Sequence, residues 1–128
     1  MIYIAGKIEG LPYEVAETKF KTTEIELRSM GAETINPMEQ GLKHMKYEDQ
    51  MAQCFKMIRL HATAIFLHRD WAKSNGARRE FELVCELNKS HHRRILIYFE
   101  ESEGYFDVRR DLQDKILKGT EFNYYQKR

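Results

Sequence analysis

Short β-prone apolar runs alternate along the chain with stretches whose apolar positions recur at helical spacing. The runs fall at residues 2–5, 32–35, 62–67 and 94–99. Runs this short and continuous suit strands buried on both faces. After the first, Ala16, Phe20, Thr23, Leu27 and Met30 line one side of a predicted helix over 13–30, and Gly31 is placed to end it. Asn36-Pro37 closes the second run, because proline keeps its predecessor extended. A polar loop over 38–44 leads into a second helix over 46–61, with Met51, Phe55, Ile58 and Ala62 on one face. A third helix spans 77–89, its stripe running through Leu83, Val84 and Leu87. A loop over 100–104, a last helix over 108–117 with Val108, Leu112 and Ile116 spaced by four, and a short strand around 122–125 complete the pattern.

Strands that alternate with helices predict a parallel sheet covered on both faces. The fold class is therefore α/β, one domain over 1–128, a flavodoxin-like (Rossmann-like) three-layer sandwich. Right-handed crossovers leave few topologies, and a sheet of four to five strands in the order 2-1-3-4-5 is expected. Ligands in such sheets bind beyond the carboxyl ends of the strands, where the strand order reverses. The loops there are 6–12 and 69–75, with Asn36-Pro37 on the same rim.

The 128 residues include 21 basic and 20 acidic side chains, giving a formal charge of +1. That balance argues against a nucleic-acid polymer or a membrane surface as partner, while leaving room for a small anionic ligand. Cys54 and Cys85 are the only cysteines, and no Cys-x-x-Cys pair occurs. His44, His61 and His68 lack ligand-like spacing, so neither a metal nor a cofactor is expected. The start, Met1 to Ala5, is too short for a signal segment, and no apolar run reaches the roughly 18 residues of a membrane span. A soluble, cytoplasmic protein is the expectation.

Candidate chemistry concentrates between Trp71 and Glu80. On a helical wheel Val84 and Leu87 lie within about 40° of Glu80, whereas Glu82 and Glu86 face the other way. Glu80 thus points toward the sheet, an unusual place for a carboxylate unless it is paired or used. It either stabilises the helix start or pairs with Arg78, Arg79 or Lys7, or else it acts on a ligand. Ser74 and the N–H groups near Gly76 suit either a helix cap or an anion cradle. Gly6 and Gly10 bracket Lys7 in the first loop and allow a tight turn or a close ligand. Trp71 either stacks on a base or covers the sheet edge. Tyr3 either presents its hydroxyl at the switch point or only packs. The run His91-His92-Arg93-Arg94 reads as a solvated turn.

Tyr3-Ile4-Ala5-Gly6, Asn36-Pro37 and Ser74-x-Gly76-x-x-x-Glu80 together resemble the nucleoside 2-deoxyribosyltransferase superfamily. The likeness is closest to a small bacterial and phage branch with a Trp-x-x-Ser-x-Gly-Ala-Arg-x-Glu string, matched by Trp71 to Glu80, and it covers about residues 1–99. The resemblance implies cleavage or transfer of the N-glycosidic bond of a deoxynucleoside or its 5′-monophosphate. Glu80 would be the nucleophile, with Tyr3, Gly6, Lys7, Ile8, Asn36, Trp71, Ser74 and Gly76 binding substrate. Ser74 resembles the residue that helps hold phosphate in the 2′-deoxynucleoside 5′-monophosphate N-glycosidases. A homodimer or larger homo-oligomer is also implied. Three positions depart from the pattern. Phe55 stands where the hydrolases place an acidic partner, with Asp49 too far upstream; Thr63 replaces an Asp; and Glu9 replaces a phosphate-binding Arg. The alternative is therefore a non-catalytic nucleotide-binding or sensing module that has lost its general acid.

Overall fold

The structure, a computed structural model, describes residues 1–100 and the strand at 123–125. Its strands are β1 (Ile2–Ala5), β2 (Thr34–Ile35), β3 (Ala64–Leu67), β4 (Leu96–Glu100) and β5 (Asn123–Tyr125). Its helices are α1 (Tyr13–Ser29), α2 (Tyr47–His61) and α3 (Asn75–Ser90). The predicted helix over 108–117 and the loop after Glu100 lie outside the described residues. The sheet order is β2-β1-β3-β4-β5, and every neighbouring pair is parallel. This is the flavodoxin-like arrangement expected from the alternation of elements.

Strand alternation divides the core into two layers. Tyr3, Ala5, Ile65, Leu67, Ile97 and Phe99 face one way and pack with Ile58, Phe81, Val84 and Leu87 of α2 and α3. Ile4 and Phe66 face the other way, against Phe20 and Leu27 of α1. Tyr3 therefore points to the α2–α3 side of the sheet, the side on which α3 carries Glu80. No described helix is long and apolar enough to cross a membrane.

Several local expectations are corrected. Met30 leaves the α1 stripe and is 59% exposed, because the helix ends one residue earlier and Gly31 turns the chain at a φ of +88°. The segment 38–44 is not a plain polar loop but contains two 3-10 turns, Pro37–Glu39 and Leu42–His44. Asn36 caps the first, accepting from the Met38 N–H at 3.0 Å, and Leu42 is buried in the second. On α2 the buried positions are Met51, Cys54, Met57 and Ile58, with Phe55 only half-buried. The Phe55 ring lies instead beneath the Arg79 guanidinium, 5.4 Å from the ring centre. Arg93, in the largely exposed turn before β4, donates to Arg59 O at 2.8 Å and Ala62 O at 3.1 Å, at the carboxyl end of α2 where a cation is favoured.

Candidate functional site

A cavity of about 230 Å³ lies beyond the carboxyl ends of β1 and β3. The first loop contributes Gly6, Ile8 and Glu9, and the segment after β2 contributes Pro37 and Leu42. One stripe of α2 supplies Tyr47, Gln50, Met51 and Cys54, at spacings that put all four on one helical face. The start of α3 supplies Ser74, Gly76, Ala77 and Glu80, while Tyr3 and Phe20 complete the lining. A second cavity, about 340 Å³, lies beside the amino ends of β1 and β3 and is lined by Met1, Gln53, Lys56 and His61 among others. It is larger, but no carboxylate lines it, whereas Glu9 and Glu80 line the first.

Glu80 is only 6% exposed, and its Oε2 accepts a hydrogen bond from the Tyr3 hydroxyl. Among the described residues no Lys or Arg pairs with it, so the reading that tied Glu80 to Arg78, Arg79 or Lys7 is corrected. Arg79 pairs instead with Glu48, at 2.9 Å. Burial pushes the Glu80 carboxyl up to about 8; the Tyr3 bond opposes this and the nearby Glu9 charge adds to it. Burial, then Glu80 itself, holds the Tyr3 phenol well above its ordinary value, so Tyr3 keeps its proton and donates. Cys54 stands in the same pocket with its thiol pushed up to about 12 by burial and by Glu80, and it is a thiol rather than a thiolate at neutral pH.

Ser74 is wholly buried and caps α3, its oxygen accepting from the Ala77 N–H at 3.1 Å. The helix begins at Asn75, two residues earlier than the periodicity suggested, which puts Ser74 in true cap register. The Ser74 hydroxyl donates to Glu9 Oε1 at 3.0 Å, and the Gly76 N–H reaches the same oxygen at 3.5 Å. At Gly76 an added Cβ would stand 3.3 Å from Met51 Sδ, so the missing side chain lets α2 close on α3. Gly6 is needed for a harder reason: a Cβ there would lie 2.1 Å from the imidazole Nδ1 of His68. His68 is itself fixed by Thr23 Oγ1, 2.7 Å from Nε2, and by the edge of Phe20.

Of the nine sequence-predicted site residues, Tyr3, Gly6, Ile8, Ser74, Gly76 and Glu80 line the cavity. Lys7, Asn36 and Trp71 are not among the lining residues. Lys7 acts through its backbone: its N–H donates to Asp70 Oδ1 at 3.2 Å, and its carbonyl accepts from Lys19 at 2.7 Å. Asn36 uses its side chain on its own 3-10 turn. Trp71 is 1% exposed and packs on Phe81 and Phe99, so it covers the sheet edge and is not open to a stacking base. Phe55 does not line the cavity; its neighbour Cys54 does. Glu9, Tyr47, Gln50 and Cys54 were not among the expected binding residues. The spacing of Tyr47, Gln50 and Cys54 along the first turns of α2 is the signal that points to them.

Among the described residues no group of three or more His, Cys, Asp or Glu side chains is placed to hold a metal ion. No curated protein and no solved structure matches the chain. A family model, described as a domain of unknown function (DUF4406), matches residues 1–91. That match covers most of the chain, which therefore belongs to the DUF4406 family.

Proposed function

We propose that the cavity binds a deoxynucleoside or its 5′-monophosphate, and that Glu80 attacks the anomeric carbon to cleave or transfer the N-glycosidic bond. The observation that carries this reading is a buried carboxylate, hydrogen-bonded to a phenol and without a cationic partner among the described residues, at the wall of a cavity at the switch point. The likeness of Tyr3 to Gly6, Asn36-Pro37 and Trp71 to Glu80 to the nucleoside 2-deoxyribosyltransferases adds to it.

In this reading an ionised Glu80 oxygen forms a bond to C1′ as the bond from C1′ to the base nitrogen breaks, through an oxocarbenium-like transition state. The bonding electrons leave with the base, which takes a proton from water. Water, or a second base, then attacks C1′ and releases Glu80 as the carboxylate; in hydrolysis the attacking water gives up one proton. The Tyr3 hydroxyl holds Glu80 in one orientation and favours its charged form. Tyr47, half-exposed at the cavity wall, is the aromatic ring available to a base where Trp71 is not. The reading brings with it a homodimer or larger assembly, cytoplasmic and free of cofactor.

A second reading has a specific observation behind it. The face of α2 that lines the cavity carries Tyr47, Gln50, Met51 and Cys54 but no Asp or Glu, so no carboxyl group on that wall protonates a leaving base. A domain that binds a nucleotide and signals, without turnover, suits that wall. Incubating the protein with a panel of 2′-deoxynucleosides and their 5′-monophosphates, and assaying free base, separates the two. Release of base that falls by about 10³-fold or more in Glu80→Ala supports the enzyme. Saturable binding with no base released supports the sensor, and no binding by any member of the panel overturns both.

A further inference from the structure

The start of α3 opens on the cavity, and both of its polar groups there converge on one atom. The Ser74 hydroxyl lies 3.0 Å and the Gly76 nitrogen 3.5 Å from Glu9 Oε1. The first N–H groups of a helix have no partner within it, and the macrodipole is positive at that end, so the position attracts an anion. Here the chain supplies the anion itself, from the loop after β1. The Ser74 oxygen already accepts from Ala77, so its one proton is committed to Glu9.

Partial burial would push the Glu9 carboxyl up, but its own N–H, Ser74, Gly76 and Ile8 together hold it below the ordinary carboxylate range. Glu9 is thus a fixed negative charge at neutral pH. It shares the cavity with Glu80, whose own ionisation it opposes.

We infer that Glu9 is a specificity-determining residue: it fills the place that a 5′-phosphate would take at Ser74 and Gly76, and so turns the site toward sugars that end in a free hydroxyl. The inference rests on reading the cavity as a nucleoside site, but its first consequence, rejection of phosphate, does not. A phosphate brought to Ser74 must displace the carboxylate or sit beside it. Repulsion between two such charges a few ångströms apart corresponds to roughly 10²-fold or more in affinity. A hydroxyl meets no such repulsion and donates a hydrogen bond to the carboxylate.

The test compares the native protein with Glu9→Gln and Glu9→Ala, the former keeping an acceptor for Ser74 without the charge. Glu9 is exposed in the first loop, and thermal melts identify any variant that fails to fold; Glu9→Gln alone is then decisive. Inorganic phosphate is titrated first, by calorimetry, followed by four 2′-deoxynucleosides and their 5′-monophosphates. Both variants are expected to bind phosphate at least about 10-fold more tightly than the native protein, and to gain at least that factor in preference for monophosphate over nucleoside. Equal phosphate affinity in all three proteins overturns the inference, even if nucleosides are bound and cleaved. A gain in phosphate affinity with no nucleoside bound by any of them leaves Glu9 as the occupant of the anion position and overturns the nucleoside reading instead.

Discussion

Glu80 is held in an environment that works against its charge, and one phenol offsets part of that cost. Water is withdrawn from the carboxylate and Glu9 adds a like charge, while the Tyr3 hydroxyl pulls the other way. At neutral pH the balance leaves most Glu80 side chains protonated, so on the proposed reading the nucleophilic form becomes more available as the pH rises toward about 8. Replacing Tyr3 by Phe removes the stabilising bond and moves the carboxyl further up. A hydrogen bond to a charged group is worth about 1.5–3 kcal/mol, so base release in Tyr3→Phe should rise about one to two pH units later than in the native protein. A pH–rate profile of both proteins checks this. A uniform loss of rate with the profile unmoved would assign Tyr3 to packing alone. Cys54, beside the same pair, stays a neutral thiol and contributes neither a nucleophile nor a ready proton.

At the scale of elements, the fit between the first loop and the segment after β3 is set by one absent side chain. His68 donates its backbone N–H to Ala5 O at 2.8 Å, extending the β1–β3 pairing, and its ring fills the space beside Gly6. Gly6→Ala forces the two apart and should destabilise the fold by about 1–3 kcal/mol, measured by urea unfolding. Because the ring is the obstacle, adding His68→Ala should recover part of the loss, a coupling read from the double-mutant cycle. The strands, the three described helices and their order were legible in the chain because each apolar run or stripe is continuous through Ile2–Ala5, Phe20–Leu27 and Ala64–Leu67. The inward turn of Glu80 was legible for the same reason: a single helix fixes the angle between Glu80, Val84 and Leu87. What was not legible depends on two elements meeting. Nothing local to Trp71 shows that Phe81 and Phe99 will enclose it, and nothing local to Glu9 shows that Ser74 will reach it. The α2 face was misjudged at Phe55 because an aromatic ring counts as apolar in a periodic pattern, while an arginine on the neighbouring helix can cover it from outside.

At the scale of the molecule, the shifted carboxyls among the described residues divide into two sets with opposite effects of pH. Glu9, Asp70 and Glu39 are lowered. For Glu9 and Asp70 burial alone would raise them, but hydrogen bonds outweigh it, from its own backbone N–H and Ser74 for Glu9 and from Lys19 and Lys7 for Asp70, while Lys21 lowers Glu39. Groups lowered in the folded state add stability that is present above their unfolded value and lost as the pH falls. Glu80 is raised, so the folded protein holds its proton longer than the unfolded chain does, and stability declines as the pH climbs from about 4.5 to about 8. The two trends together place the maximum melting temperature in mildly acidic solution. In Glu80→Gln the alkaline decline, at most about 1.4 kcal/mol per pH unit, should be largely removed while the acid limb remains. Thermal melts between pH 3 and 9 on both proteins give the comparison, and an unchanged alkaline limb would mean Glu80 does not titrate as described. One further feature acts on the molecule as a whole. Lys19 bridges Asp70 at 2.7 Å and the Lys7 carbonyl at 2.7 Å, stitching the first loop to the segment after β3. Beyond that seam, Pro37 and Leu42 of the two short turns and Tyr47 and Gln50 of α2 line the cavity. On the proposed reading, selectivity for one base over another is a property that residues 37–50 can acquire or lose while Glu80 and its phenol stay untouched.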